Sequence, residues 1–218
     1  MSIFSRHNAT LVEPAQTLPG RSERMFPIAA RHYVLDAPIV TDEVPEGYEV
    51  AVFGLGCFWG AEEIYWKTPG VWSTSVGYAG GTTANPTYEE VCSGRTNHTE
   101  AVRVVFDPKV VSYADLVKTF FEVHDPTQGF RQGNDVGTQY RSAIYFTTPE
   151  QEQVARELTA VYGKELETRR LGEITTEIRP ASETPYYYAE DHHQQYLAKN
   201  PFGYRCHSST GIRFPETA

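Results

Sequence analysis

Three cysteines are the most reactive side chains of this 218-residue chain, and their settings differ. Cys57 lies in Gly54-Leu55-Gly56-Cys57-Phe58-Trp59-Gly60. Glycines on both sides let backbone approach the sulfur, and Phe58 and Trp59 add a large apolar surface beside it. An apolar run precedes the segment and a helical period follows, so Cys57 is expected where a strand ends and a helix begins. Free N–H groups and the positive end of the helix dipole favour a thiolate there. The dipole alone is too weak. A helix end contributes about 0.3–1 kcal/mol, roughly 0.2–0.7 pKa units, against a thiol that starts near ~8.5. Activation therefore needs other groups or the bound substrate. The residue type also allows a passive role as a small buried hydrophobe. The glycines do not make a dinucleotide site, because the third glycine of that fingerprint would fall at Trp59.

Cys206 sits in the polar stretch Gly203-Tyr204-Arg205-Cys206-His207-Ser208-Ser209, which suits an accessible thiol able to close a disulfide on an oxidised cysteine. Cys92 follows Glu89-Glu90-Val91, whose acids disfavour a thiolate, and is read as a bystander.

The elements that must position these thiols are legible in outline. Residues 1–48 are broken by prolines and glycines and read as an irregular arm rather than a second domain. Residues 50–53 read as a buried strand, and Phe58, Ala61, Ile64 and Tyr65 share one helix face while Glu62, Glu63 and Lys67 lie elsewhere. Pro69-Gly70 closes that helix. Residues 71–78 and 98–106 read as strands, the second with both faces apolar enough for two-sided burial. Ser112 and Asp115 predict a capping box, followed by the stripe Leu116, Val117, Phe120 and Phe121. Residues 125–140 form a polar stretch without a period, and a connection of that length is expected to have a task. Residues 141–147 return to strand character. A helix then starts at Thr148-Pro149, with Val154, Leu158 and Val161 as its face, Arg169 and Arg170 in its last turn and Gly172 as its stop. A strand over 174–178 and a short helix over 188–197 precede the tail. This alternation predicts an α/β fold with two layers and a mixed sheet. The chain divides into the arm, a catalytic domain over 49–200, and a tail over 201–218.

The 19 basic residues against 28 acidic ones leave a net charge of −9, which argues against a nucleic-acid or anionic-membrane surface. No apolar run approaches the length of a spanning helix, and the N-terminus has no apolar core of a secretory signal. Three cysteines do not make a disulfide scaffold. A reduced, cytoplasmic setting is expected, and the lack of a long exposed apolar stripe favours a monomer.

Gly56-Cys57-Phe58-Trp59-Gly60 resembles the signature of the A-type peptide-methionine sulfoxide reductases. Further blocks resemble that family in the same order: Tyr78-Ala79-Gly80-Gly81, Asn85-Pro86-Thr87-Tyr88, His98-Thr99-Glu100-Ala101, His124-Asp125-Pro126, Gln132-Gly133-Asn134-Asp135, Gly137 to Ser142, and Asp191 to Tyr196. The similarity is strong over residues 50–205. It implies a compact α/β core of ferredoxin-like type with long coil segments, and reduction of the S epimer of methionine sulfoxide, free or in oxidised proteins. Carried over by motif, Cys57 is the nucleophile. Phe58, Trp59 and Tyr140 form the pocket for the substrate methyl group. Tyr88, Glu100, Asp135 and Tyr140 surround the sulfoxide oxygen, and His193 is a supporting residue. The resemblance also implies a Cys57–Cys206 disulfide, no bound cofactor or metal, and thioredoxin or a similar dithiol redoxin as external reductant.

The chemistry fits these residue types. A sulfoxide is a poor electrophile until its oxygen gains a proton or a strong hydrogen bond. Glu100 can give that proton only if burial raises its pKa from about 4.3 towards neutrality. Tyr88 and Tyr140 can donate without bearing charge. The tail departs from the family's longer members: Arg205 stands where a cysteine often follows the Gly-Tyr pair, Cys206 comes one residue later, and the distal region offers Phe214. Cys206 is expected to resolve directly. Two other readings compete. A cysteine acyl-transfer enzyme would need a histidine oriented on Cys57. A zinc-binding interaction domain would use Cys57, Cys206 and His207, but the usual close cysteine pair is absent.

Overall fold

A computed structural model describes residues 9–206 and 208–216. Strand β1 (Glu49–Leu55) leads through Gly56 and Cys57 into helix α1 (Phe58–Trp66), followed by β2 (Val71–Ala79). A short helix α2 (Tyr88–Cys92) precedes β3 (Thr99–Phe106) and α3 (Tyr113–Val123). The long polar stretch contains a two-residue hairpin, β4 (Arg131–Gln132) and β5 (Asp135–Val136), and a 3-10 turn over Thr138–Tyr140. Then come β6 (Ser142–Phe146), α4 (Pro149–Thr168), β7 (Glu177–Pro180), β8 (Tyr187–Tyr188) and α5 (Tyr196–Lys199).

The six-stranded sheet runs β7-β6-β1-β3-β2-β8. It is mixed because β7 joins β6 in parallel, whereas the other pairs are antiparallel. Its centre, β6-β1-β3-β2 with α1 and α3 as crossovers, is the split-βαβ arrangement of ferredoxin-like folds. Period-2 alternation sends Ala51, Phe53 and Leu55, together with Val102, Val104 and Phe106, into one core with the stripe Leu116, Val117, Phe120 and Phe121. The opposite face buries Val52, Ala101, Ala143 and Tyr145 under Tyr186 and coil. Burial of β3 on both faces explains why its sequence alternates so weakly.

Several predicted details shift. The buried face of α4 is Gln151, Ala155, Tyr162 and Leu166, whereas Val154, Leu158 and Val161 are only partly buried at its edge. That helix ends at Thr168, and Arg170 takes the left-handed turn (φ 58°) that Gly172 was expected to supply. The strand predicted over 174–178 forms over 177–180, in register with β6. Residues 188–197 are not one helix: Tyr187–Tyr188 pair with β2, turns follow, and only Tyr196–Lys199 form a helix. The backbone of Ala189 also donates to Val76, and Gln194 bonds both the N–H and C=O of Val76. Pairing with the sheet edge thus overrides local helix propensity. Ser112 caps α3 by accepting from the Asp115 N–H, and its hydroxyl donates to the Asp115 carboxylate. Helix α2 carries a full capping box, Thr87 with Glu90.

Glu62 lies off the apolar face of α1. It is nonetheless fully buried, accepting from Thr74 Oγ1 at 2.9 Å, Gln195 Nε2 at 2.7 Å and the Gln195 N–H at 2.8 Å. His32 of the arm joins this network through Thr74. The arm is held further by Ile39 in the interior and an Arg21–Glu90 ion pair. Among the described residues no helix is long and apolar enough to cross a membrane.

Candidate active site

The site forms where β1 hands the chain to α1. Gly56 turns there with φ of +92°, and a Cβ at that position would lie 2.7 Å from the Gln132 side chain. Only glycine makes that turn with the hairpin so close. Cys57 becomes the N-cap of α1; its side chain makes no cap hydrogen bond, but the N–H groups of Trp59 and Gly60 act on the sulfur and favour the thiolate. The helix-start placement read from sequence is therefore what the chain adopts. The thiol is nonetheless buried, and burial pushes its pKa well above the ordinary range, with the charges of Glu100 and Asp135 adding to the rise. The two N–H groups pull the other way and lose. The resting nucleophile is a neutral thiol.

Glu100 reaches the same point from β3. The register pairs Phe53 with Val102, and continuing it sets Glu100 level with Leu55, two residues before Cys57. Alternation then points Glu100 to the face that carries Val102 and Val104, the face that α1 covers. Its Oε2 accepts the Phe58 N–H at 2.9 Å, the first donor of the helix. The carboxyl is 1% exposed, and burial raises its pKa to about 8, against the lowering effect of that hydrogen bond. At neutral pH it is mostly a protonated acid beside a thiol.

An aromatic wall closes one side. Phe58 packs against Tyr78, Tyr88 and His193, and Trp59 stacks on Tyr196 with centroids 4.0 Å apart. The indole N–H of Trp59 donates to His193 Nδ1 at 3.2 Å. That bond puts the imidazole proton on Nε2, which is buried and has no partner. Burial lowers the His193 pKa to about 3, so the ring is neutral. Its neighbour His192 is exposed. Tyr88 and Tyr140 are both pushed up by burial and by the charge of Glu100, which keeps them as neutral donors near it.

Asp135 stands on the small hairpin. Its Oδ1 accepts from the Tyr204 hydroxyl at 3.1 Å, and its Oδ2 is buried without a partner. The unpaired acceptor of Asp135 and the unpaired donor of His193 are two of three such side-chain atoms among the described residues. Cys206 lies across from Cys57: both line one cavity of about 150 Å³ with Leu55, Ala61, Ile64 and Gln132. The Cys206 thiol donates to the Gln132 carbonyl at 3.5 Å, and burial raises its pKa as well. Both cysteines are free thiols, and Cys92 is an exposed third.

The structure thus brings Cys57, Phe58, Trp59, Tyr88, Glu100, Asp135, Tyr140, His193 and Cys206 to one region. Gln132 is a further residue of the site, without a sequence-predicted role. Its amide bonds both the N–H and the C=O of Asp125, which staples the long polar loop, while its carbon chain abuts Gly56. Its place in a family-like block was the available signal. Among the described residues no histidine hydrogen-bonds to Cys57, and no group of three or more His, Cys, Asp or Glu is arranged to hold a metal. His207, a candidate ligand, lies outside the described residues.

The family model described as peptide methionine sulfoxide reductase matches residues 49–216. The chain belongs to that family. Among its relatives in the peptide methionine sulfoxide reductase family, it is 55% identical over 212 residues to peptide methionine sulfoxide reductase MsrA of Azorhizobium caulinodans, covering 97% of this chain and 95% of the relative. The corresponding protein of Salinispora arenicola is 57% identical over 212 residues, covering 96% and 94%. Methionine sulfoxide reductase A of Corynebacterium diphtheriae superposes with a TM-score of 0.85 at 52% identity, covering 95% of this chain and all of that one. The reduced form of Mxr1 from Saccharomyces cerevisiae gives 0.67 at 33% identity, over 76% and 92%. The family's sulfoxide-reductase chemistry therefore sits on a ferredoxin-like α/β scaffold, with a thiol as the reactive group.

Proposed function

We propose that this chain reduces the S epimer of methionine sulfoxide to methionine, with Cys57 as nucleophile and Glu100 as acid. The observation that carries the reading is the Cys57–Glu100 pair: a thiol at a helix start, and a buried carboxyl raised to about 8 on the next residue's N–H. The substrate methyl group enters among Phe58, Trp59 and Tyr140, where sulfur–aromatic contact contributes about 0.3–1.5 kcal/mol. Glu100 protonates the sulfoxide oxygen, with Tyr88 and Tyr140 as further donors, while Cys57 attacks sulfur. Cys57 attacks as the thiolate, its proton already lost to solvent, and the Glu100 carboxylate left behind regains a proton from solvent. Methionine leaves, reduced by two electrons, and Cys57 becomes a sulfenic acid, oxidised by two.

Cys206 then attacks the Cys57 sulfur. An S–S bond forms, the S–O bond breaks, and hydroxide leaves with a proton as water. A dithiol protein of the thioredoxin type returns both cysteines to thiols by exchange. The chain works as a cytoplasmic monomer on free or protein-bound sulfoxide. An acyl-transfer role would need an imidazole on Cys57, and among the described residues no histidine hydrogen-bonds to it.

Burst stoichiometry with a defined S-sulfoxide tests this reading. Cys57→Ser should give no methionine. Cys206→Ser should give one equivalent and then stop when thioredoxin is the reductant. Sustained turnover of Cys206→Ser under thioredoxin would remove the resolving role.

A further inference from the structure

We propose that Arg205 is a positioning residue for the resolving step: its ion pair with Glu63 fastens the tail to α1 and holds Cys206 across the cavity from Cys57. The inference rests on the resolving role given to Cys206 above. Arg205 directly precedes Cys206, and Glu63 lies on α1 six residues beyond Cys57. The guanidinium Nε meets Glu63 Oε2 at 2.8 Å and its NH2 group meets Oε1 at 3.1 Å. This two-bond fork fixes direction as well as distance, which an ammonium point charge does not. The remaining nitrogen donates to the carbonyls of Pro201 and Gly203, curling the tail's first turn around the same side chain. Glu63 is held down to about 2, first by the Arg205 hydrogen bonds, so the anchor is fully charged at every working pH.

The other contacts near Cys206 are single bonds. Tyr204 donates to Asp135, Cys206 to the Gln132 carbonyl, and Gln128 to Ser208. Farther on, Phe214 is buried against Tyr162 and Phe121, which ties down the distal end. Between these ends the chain passes over Gly133, whose Cβ position would lie 2.9 Å from Ser208 and 3.3 Å from the Cys206 sulfur. Arg205 is thus the charged clamp on the proximal side. Neither it nor Glu63 belongs to the aromatic pocket, and neither bonds Cys57 or Glu100. The pair is partly exposed, 27% and 17%, so it contributes little to global stability. Its effect is on local concentration: a clamped tail presents the second thiol as an intramolecular reactant, and a loose one must search for the first.

The test separates oxidation from resolution. The enzyme is mixed with one equivalent of S-sulfoxide and quenched at intervals. Sulfenic acid is trapped by a dimedone-type reagent and the Cys57–Cys206 disulfide is counted by mass spectrometry. Arg205→Ala and Glu63→Gln should each slow disulfide formation about tenfold, the weight of a charge-assisted hydrogen-bond pair, while the methionine burst keeps its wild-type rate. The double variant should be no slower than either single one, and Arg205→Lys should recover part of the rate. High salt should slow the wild type and leave Arg205→Ala unaffected, a response that a merely structural role would not give. A wild-type disulfide rate in Arg205→Ala, or a slow Arg205→Ala beside a normal Glu63→Gln, overturns the clamp alone. Wild-type enzyme that accumulates sulfenic acid without the disulfide overturns the resolving role of Cys206 and the clamp with it.

Discussion

In Glu100→Gln the site keeps its shape and loses its acid. The amide oxygen can still accept the Phe58 N–H, so the register of β3 against α1 is preserved. Glu100 titrates at about 8 and Cys57 well above the usual thiol range. The productive form, thiolate with neutral acid, carries one proton fewer than the resting pair. About 1% of molecules have lost that proton at pH 6, about 9% at pH 7, about half at pH 8 and about 90% at pH 9. The second-order rate constant of the methionine burst should therefore rise about 50-fold from pH 6 to pH 8 and less than twofold beyond. Glu100→Gln should be slower by about 10²–10⁴-fold, or about 3–5 kcal/mol of barrier, with no break near pH 8. Stability gives an independent check. The folded pKa is raised, so this carboxyl's contribution is complete below its ordinary 4.5 and is lost as pH rises through about 8. That loss is on the order of 5 kcal/mol in the wild type and absent in the Gln variant. The assay is rapid quench with one defined sulfoxide across pH, beside urea midpoints for both proteins. A wild-type burst rate that is flat from pH 6 to 9, or a Gln variant that keeps the break, refutes Glu100 as the acid.

Trp59→Ala removes both the ring over the pocket and the donor that orients His193, so KM for an S-sulfoxide should rise up to about tenfold. Trp59→Phe should recover the packing without that bond, and steady-state kinetics would distinguish them. Burial holds the His124 pKa at about 4, with its ring between the Phe120 carbonyl and the Ser142 hydroxyl. This depressed value stabilises the fold above the ordinary 6.5, and the benefit fades as pH falls through about 4. His124→Gln should flatten the pH dependence of the urea midpoint in that window by about 3 kcal/mol. Phe120→Ala should cost about 3–5 kcal/mol in denaturant unfolding, because Phe120 packs on Phe53, Phe121 and His124 with no exposure.

Local sequence was sufficient wherever a feature depends on near neighbours. The glycine-flanked Cys57, the helix starting after it, the cap at Ser112 and the stripe on α3 all follow from residues within a turn or two. The predictions that failed involve competition from distant partners. Residues 188–197 look helical by period, but the edge of β2 takes their backbone groups. The burial of Glu62 is likewise not legible nearby, because two of its three hydrogen bonds come from Gln195, 133 residues away.

What the sequence determined by itself is the reactive sulfur and its place at the head of a helix, together with an α/β order of elements. Sheet register alone decided that Glu100 faces the helix start rather than the opposite side of the strand, since one residue of slip would turn it away. Tertiary packing also brought His193 to Trp59 and Arg205 to Glu63, separations of 134 and 142 residues. Burial completed the chemistry. A carboxyl becomes an acid at neutral pH only when the folded chain removes water from it, and the same burial carries the thiol further from ionisation.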